Sequence, residues 1–506
     1  MESFPWWNEE QKKLAVEVEA FAEELMPRAE EALWKREVPL DIYDQIGERG
    51  YFGARIPKEY GGMGLGATGA SIVIEGMSCL PGITYIFGGS MMGGLHQIME
   101  FGSEEQRRRF LPRIAKGELG VISITEPPVG TDASAIEAVA RREGDHYILF
   151  GKKRFNTGIG VGRRHMVYAK TNDSPEAISR YQHLTGFIVE KGMPGFTVEK
   201  VNEVSGFDNT PNGYLNLDGV PVPIENRIGE EGQGWRVMTS GLNFERTIIA
   251  ATMLGLFRTA LRSVVGYAQR RVQFGRPTID LVNNQFKIAD LLVNLKLARL
   301  ATYYSAYLSD LGLEPTIESS VSKVFNSDKC LESIIDAIQV MGGDGVTKFY
   351  PLERLLREAK LNQIAGGTNE AIRLVIYRTG VRQMAEELKM PHRVIHRELG
   401  VPVSMPGKPV KQSGIDEDKL LKVLAEDYRI NPGLHMSLDD LKDRFDVDDE
   451  TLDELLVALE KKKWVKLYRG KKKIELVKAT YEGLKRANPL EYYQWYPSWI
   501  KKENIF

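Results

Sequence analysis

Twice in its first 385 residues this chain changes texture, from helical spacing to β-type runs and back again. In residues 8–35 apolar side chains recur at helical spacing, with Leu14, Val18, Phe21 and Leu25 on one stripe. Helical patterning continues to about residue 119 and is interrupted by the glycine turn Tyr60-Gly61-Gly62-Met63-Gly64. The chain then reads as short β-type runs, Val121–Thr125, His146–Phe150, His165–Lys170, Leu184–Val189 and Phe196–Glu199, separated by Gly, Pro, Asn and Asp. Long helices rich in Leu, Ala and Arg return from about 235 to 385. Helix bundles and sheets bury their apolar faces differently, so this order predicts separate units at 1–120, 121–234 and 235–388.

The proline- and glycine-broken stretch Pro402–Pro409 marks a linker at 389–412. Beyond it, helical patterns at Asp416–Tyr428, Ser437–Phe445 and Asp449–Lys462 precede two strands, Trp464–Tyr468 and Lys473–Val477. A basic turn, Arg469-Gly470-Lys471-Lys472, joins the strands. Three helices and a hairpin predict a winged-helix-like unit at 413–488. An aromatic tail, 489–506, follows with Tyr492, Tyr493, Trp495, Tyr496 and Trp499. The expectation is a multidomain α+β chain.

Composition excludes several classes. Two cysteines, Cys79 and Cys330, leave no disulfide framework and no cysteine-built zinc site, which fits a reducing cytoplasm. A net charge of −2 offers no basic surplus for nucleic acid. The N-terminus lacks the basic-then-apolar order of a secretory signal. The longest uncharged run, Gly76–Met99, carries several glycines, a proline, a His and a Gln. It reads as a buried, broken helix pair rather than a membrane span.

Four segments carry candidate chemistry. Ile124-Thr125-Glu126-Pro127-Pro128-Val129-Gly130-Thr131-Asp132 leaves a β-run with hydroxyls and free amides, suited to a phosphate or a ring edge, or to a plain capped turn. Phe155-Asn156-Thr157-Gly158 sets a hydroxyl beside an aromatic at a strand end. Arg270 to Pro277 ends a helix with arginines and a glutamine, which complement the helix dipole or reach a diphosphate. Gln339-Val340-Met341-Gly342-Gly343-Asp344-Gly345 and Ile364-Ala365-Gly366-Gly367-Thr368-Asn369-Glu370 are glycine turns that permit close backbone approach.

In this order and spacing the segments resemble the acyl-CoA dehydrogenase flavoprotein family over about residues 8–385. Pro57 to Gly64 is similar to the family's N-terminal helical turn. Val129 and Asn156 stand where the family has a small and an aliphatic residue. The resemblance implies a helical N-terminal domain, a middle β-barrel or sandwich and a C-terminal four-helix bundle. It implies FAD, an acyl-CoA substrate, an electron-transferring flavoprotein as acceptor, no metal, and a homo-oligomer of the dimer-of-dimers kind. By carry-over, Thr125, Thr131, Phe155 and Thr157 would line one FAD. Arg271, Gln273, Phe274, Gln339 and Gly343 would close over the FAD of a partner subunit, and Thr368 and Glu370 would lie near adenine-side and ribityl contacts.

The family's reaction needs a carboxylate base for the α-proton, with hydride passing from the β-carbon to flavin N5. Many members carry that Glu in a Tyr-Glu-Gly-Thr motif, where this chain has Ala365-Gly366-Gly367-Thr368. Gly241 to Ile249 instead resembles the helix that carries the base in the isovaleryl-CoA and long-chain branches, and Glu245 matches it. Glu245 also falls in line with the apolar stripe Ile249, Met253, Leu256, Ala260 and Val264. A carboxylate buried there has its pKa raised toward neutrality, as a general base needs. The plainer alternative has Glu245 pair with Arg246 or cap the helix. Gly366 would polarise the thioester carbonyl through its backbone N–H and leave room for a branched, cyclic or aryl acyl group. Arg246 resembles the arginine that faces the CoA portion. No Arg occurs at Ile83–Tyr85, where dicarboxyl-CoA members carry a clamp.

Other classes are a DNA-binding relative using the winged-helix-like unit, an oxidase or monooxygenase on the same fold, and a silent paralogue. The acidic start of Asp449–Lys462 and the even charge of 405–506 oppose duplex binding and favour protein docking.

Overall fold

A computed structural model describes residues 1–384, 414–430, 433, 435–470 and 473–487. Two compact units appear, Met1–Gln383 and Met384–Phe506. The predicted linker at 389–412 and the aromatic tail at 489–506 lie outside the described residues.

The first unit opens with α1 (Glu9–Lys35), started by a reciprocal capping box between Asn8 and Gln11. Its stripe Leu14, Val18, Phe21 and Leu25 is buried. Helices α2 (Leu40–Glu48), α3 (Gly66–Met77), α4 (Thr84–Met92), α5 (Leu95–Phe101) and α6 (Glu104–Ala115) complete this region. The uncharged run Gly76–Met99 folds as the end of α3, then α4 and most of α5. Gly82 and Gly94, both at positive φ, sit in the breaks.

The middle region forms one eight-stranded sheet, with β1 (Gly120–Ser123), β2 (Val139–Glu143), β3 (His146–Thr157) and β4 (Arg164–Lys170) in its first half. A short helix, α7 (Pro175–Ser179), precedes β5 (Leu184–Glu190), β6 (Phe196–Asn202), β7 (Asn212–Pro223) and β8 (Arg227–Ile228). The ladder order is β6-β7-β3-β2-β4-β5-β8, with β1 parallel to β4. Two strands escape the run-based reading. β2 is Val-Ala-Arg-Arg-Glu, charged at three of five positions, and β7 contains two glycines and two prolines. Both are made strands by pairing to β3, an effect of tertiary context rather than propensity.

Helices then return as α8 (Gly234–Ser240), α9 (Leu242–Ala268), α10 (Val282–Asp310), α11 (Thr316–Met341), α12 (Leu352–Asn362), α13 (Asn369–Val375) and α14 (Val381–Gln383). A small hairpin, β9 (Val272–Gln273) and β10 (Arg276–Pro277), follows α9. Helices α9 and α11 run parallel, because Asn243 Nδ2 donates to Thr316 Oγ1 and Asn326 Nδ2 to Ala250 O. The stretch Gly234–Ala268 is long and apolar enough to cross a membrane by length and composition, yet 67% of that window is buried inside the fold. It is the central core helix, not the uncharged run singled out in the sequence.

The second unit holds α15 (Glu417–Ile430), β11 (Met436–Ser437), α16 (Leu438–Arg444), α17 (Asp449–Lys461), β12 (Val465–Arg469), β13 (Ile474–Ala479) and α18 (Tyr481–Ala487). Ser437 and Asp448 cap α16 and α17. Its three-stranded sheet runs β11-β13-β12 over a core that includes Leu421, Leu441, Leu456, Leu459 and Val477.

Candidate active site

The first turn of α9 places Glu245 inside the protein at 6% exposure, with Oε1 free of any hydrogen-bond partner. Burial pushes its pKa up to about 7, against the opposing pull of the Arg246 cation and the Gln97 amide. Arg246 does not pair with it directly. Its Nη1 donates to Ser320 Oγ on α11 at 3.1 Å, and its Nε is left without a partner. Gly241, just before α9, is required by crowding. A Cβ there would lie 2.4 Å from Gln97 Nε2 and 3.4 Å from Glu245 Oε1.

One turn beyond Glu245, Ile249 meets the glycine turn after α12. A Cβ on Gly366 would fall 2.2 Å from Ile249 Cδ1, and the backbone there has φ +65°. A side chain here would be strained by the backbone and would have to displace the Ile249 terminal methyl. The expected room beside Gly366 is thus taken, at the Cβ position, by Ile249. Lys323 on α11 secures this turn, donating to Gly367 O at 2.9 Å and Asn369 Oδ1 at 2.7 Å. Thr368 caps α13 by accepting from Ala371 N, and Glu370 in the same turn is exposed. Burial, then the Arg246 charge, brings the Lys323 pKa down to about 7.

A second group gathers at the end of β3. The backbone N–H of Arg154 donates to Thr125 O at 2.8 Å, and Asn212 Nδ2 to Thr157 Oγ1 at 3.0 Å. Between them Phe155 is held at φ 58° and left 49% exposed, a strained conformation for an aromatic. Thr131 lies exposed on the loop between β1 and β2. Behind it is an ion pair absent from the sequence reading. Lys153, at 0% exposure, donates to Glu126 Oε1 at 2.7 Å. The Glu126 carboxylate also accepts from the backbone N–H groups of Glu137 and Ala138. An aromatic face presented outward beside two hydroxyls and a rigid loop fits a planar ring with a polar edge, as FAD has.

Arg271, Gln273, Phe274, Gln339 and Gly343 collect at the opposite end of the bundle. All are exposed, Phe274 at 91%, and Tyr267 Oη donates to Asp344 Oδ2 between their two segments. From Glu245 to the end of α9 at Ala268 is 23 residues, about 35 Å of helix, and this group lies beyond that end. Within one chain the two groups do not meet.

The sequence reading missed Gln97, Tyr168, Lys323 and the Glu126–Lys153 pair. One signal was present: Gln97 is a lone amide in the longest uncharged run.

Comparison with known proteins bears on this arrangement. Residues 8–118, 121–220 and 232–381 match the N-terminal, middle and C-terminal domains of acyl-CoA dehydrogenases. An acyl-CoA dehydrogenase of Bacillus subtilis (strain 168) is 36% identical over 373 residues, covering 73% of this chain and 97% of its own. The mitochondrial isovaleryl-CoA dehydrogenase of Oryza sativa subsp. japonica is 32% identical, covering 74% and 91%. The butyryl-CoA dehydrogenase structure from Megasphaera elsdenii superposes with a TM-score of 0.72 at 30% identity, covering 75% of this chain and 100% of that one. With three domain matches and these relatives, the chain belongs to the acyl-CoA dehydrogenase family of FAD-dependent oxidoreductases.

Proposed function

We propose that this protein dehydrogenates the α,β-bond of an acyl-CoA thioester, with Glu245 removing the α-proton. The observation that carries this is a buried carboxylate, its pKa brought to about 7, on the α9 face that meets the Gly366 turn. A base of that pKa is about half ionised at pH 7, more so just above it, and still binds the proton it takes. Gly366 offers its N–H to the thioester carbonyl, and acidifies the α-carbon as the enolate develops. Lys323 holds the turn that aims this amide. The free Nε of Arg246 is a donor for the CoA portion. Thr125, Thr131, Phe155 and Thr157 line the flavin, and Thr368 and Glu370 sit on the turn beside its ribityl and adenine sides. Bound FAD supplies the hydride acceptor for the β-carbon.

The acyl group is proposed to be branched, cyclic or aryl, with Ile249 as its near wall. Ile249→Ala is expected to raise kcat/KM for the bulkiest accepted thioester over a straight one by about tenfold. An acyl-CoA turnover panel checks this, and a wild-type preference for straight C4–C8 thioesters removes the reading.

Arg271, Gln273, Phe274, Gln339 and Gly343 are proposed to serve the FAD of a second subunit, in a dimer or dimer of dimers. Their distance from Glu245 supports that assignment. An electron-transferring flavoprotein is the proposed acceptor and the cytoplasm the proposed location. The C-terminal unit is proposed as a winged-helix-like docking module. Four of its described cations, Lys442, Lys462, Arg469 and Arg486, are engaged by Asp449, Glu417, Glu460 and Asp418, which supports protein over duplex.

The pH dependence tests the base. Turnover is expected to fall below pH ~7 as Glu245 takes up a proton, with an apparent pKa near 7 in the reductive half-reaction. Stability changes with the opposite sign. Below pH 4.5 Glu245 is protonated in the folded and unfolded chain alike. Between 4.5 and about 7 the unfolded chain loses the proton first, so stability drops as pH rises, by about 3 kcal/mol in full. Thermal unfolding of wild type and Glu245→Gln across this range separates that contribution.

A further inference from the structure

Four buried polar atoms beside the site lack partners: Tyr168 Oη, Gln97 Oε1, Gln97 Nε2 and Glu245 Oε1. Tyr168 and Gln97 are both at 0% exposure. Orphaned buried groups are rare and each asks for a reason. Here the four belong to three neighbours from three elements, β4, α5 and α9. Gln97 Nε2 and Glu245 Oε1 flank the same Gly241 α-carbon, with no Cβ between them. Burial raises the Tyr168 hydroxyl pKa well above its ordinary value, the nearby Glu245 charge adds to this and the Gln97 amide opposes it, so the phenol stays a neutral donor.

We infer that Gln97 and Tyr168 are positioning residues for Glu245: the Tyr168 hydroxyl donates to Gln97 Oε1, and Gln97 Nε2 donates to Glu245 Oε1, leaving Oε2 for the α-proton. Each of the four atoms then has a partner. The tyrosine fixes which way the amide is turned, and the turned amide fixes the carboxylate. This rests on Glu245 being the base.

Other charges around Glu245 do not replace the relay. Arg246, on the same helix, is drawn toward Ser320. Lys323 on α11 is committed to the Gly367 and Asn369 oxygens. Arg55 lies over the Phe244 ring at 4.2 Å and its Nη1 donates to His96 Nδ1 at 3.0 Å. The relay therefore supplies the direct donor to the base. A hydrogen bond to the ionised form lowers a carboxylate pKa, so Gln97 holds in check a value that burial alone drives higher.

The test is the pH profile of anaerobic flavin bleaching by a good acyl-CoA, in wild type, Gln97→Leu, Tyr168→Phe and Glu245→Gln, each checked for FAD content and melting temperature. Gln97→Leu is expected to move the acid limb up by about one pH unit and slow the plateau about tenfold with little change in KM. Tyr168→Phe moves the limb the same way by less, and adds nothing in the Gln97→Leu background. An acid limb at the wild-type position in FAD-loaded Gln97→Leu overturns the relay. Should Gln97→Leu not retain FAD, Tyr168→Phe decides, and an unmoved limb there overturns it equally. Wild-type bleaching in Glu245→Gln instead sinks the base assignment. An inactive Glu245→Gln with an unmoved limb in Gln97→Leu sinks only the relay.

Discussion

Glu245→Gln is expected to keep its FAD and its fold while losing acyl-CoA-dependent flavin bleaching by a factor of about 10³. The amide has the carboxylate's shape but cannot accept the α-proton, and the other carboxylates at the Gly366 turn in the described residues are exposed Glu370 and Asp328, which is engaged by Gln363 and Asn369. Folding should not suffer, since the wild-type group is costly to ionise where it sits. Above pH 7 the variant is expected to unfold at the same temperature as wild type or higher. Stopped-flow bleaching and thermal unfolding check the two halves. A variant that is inactive because it has lost FAD or structure does not meet the expectation.

Glu126→Ala is expected to act on stability instead, by about 3–5 kcal/mol, the usual loss when one partner of a buried ion pair is removed. Lys153 would be left at 0% exposure with Ile124 O as its remaining acceptor, although burial already holds its pKa down to about 8. The backbone N–H groups of Glu137 and Ala138 would lose their acceptor as well. That carboxylate ties the loop bearing Thr131 to the strand bearing Phe155, so FAD retention should fall with the melting temperature. Glu126→Gln combined with Lys153→Met, which removes both charges, is expected to recover much of the loss. Calorimetry and the flavin-to-protein absorbance ratio report the outcome.

Much of the architecture was legible because burial imposes periodicity. Leu14, Val18, Phe21 and Leu25 announced the inner face of α1, and the stripe from Ile249 to Val264 announced α9. The strands that escaped, β2 and β7, owe their conformation to β3, and a single run of residues carries no record of its partner. The site divides the same way. Glu245 stood out as a charge in an apolar stripe. Gln97 and Tyr168 did not, since each is ordinary in its own segment and becomes notable only when α5, β4 and α9 converge. At Gly366 the sequence shows a missing side chain, whereas the positive φ and the Ile249 methyl that fills the Cβ position appear only in the fold. The separation of Arg271 from Glu245 followed only once α9 was seen as one unbroken helix.

The most direct test of the central claim is an anaerobic titration of the purified protein with a panel of acyl-CoA thioesters, followed at the flavin absorbance bands. The predicted result is a yellow protein whose oxidised flavin bleaches stoichiometrically with at least one branched, cyclic or aryl acyl-CoA. A colourless protein that takes up no FAD, or a yellow one that no acyl-CoA bleaches, would contradict it.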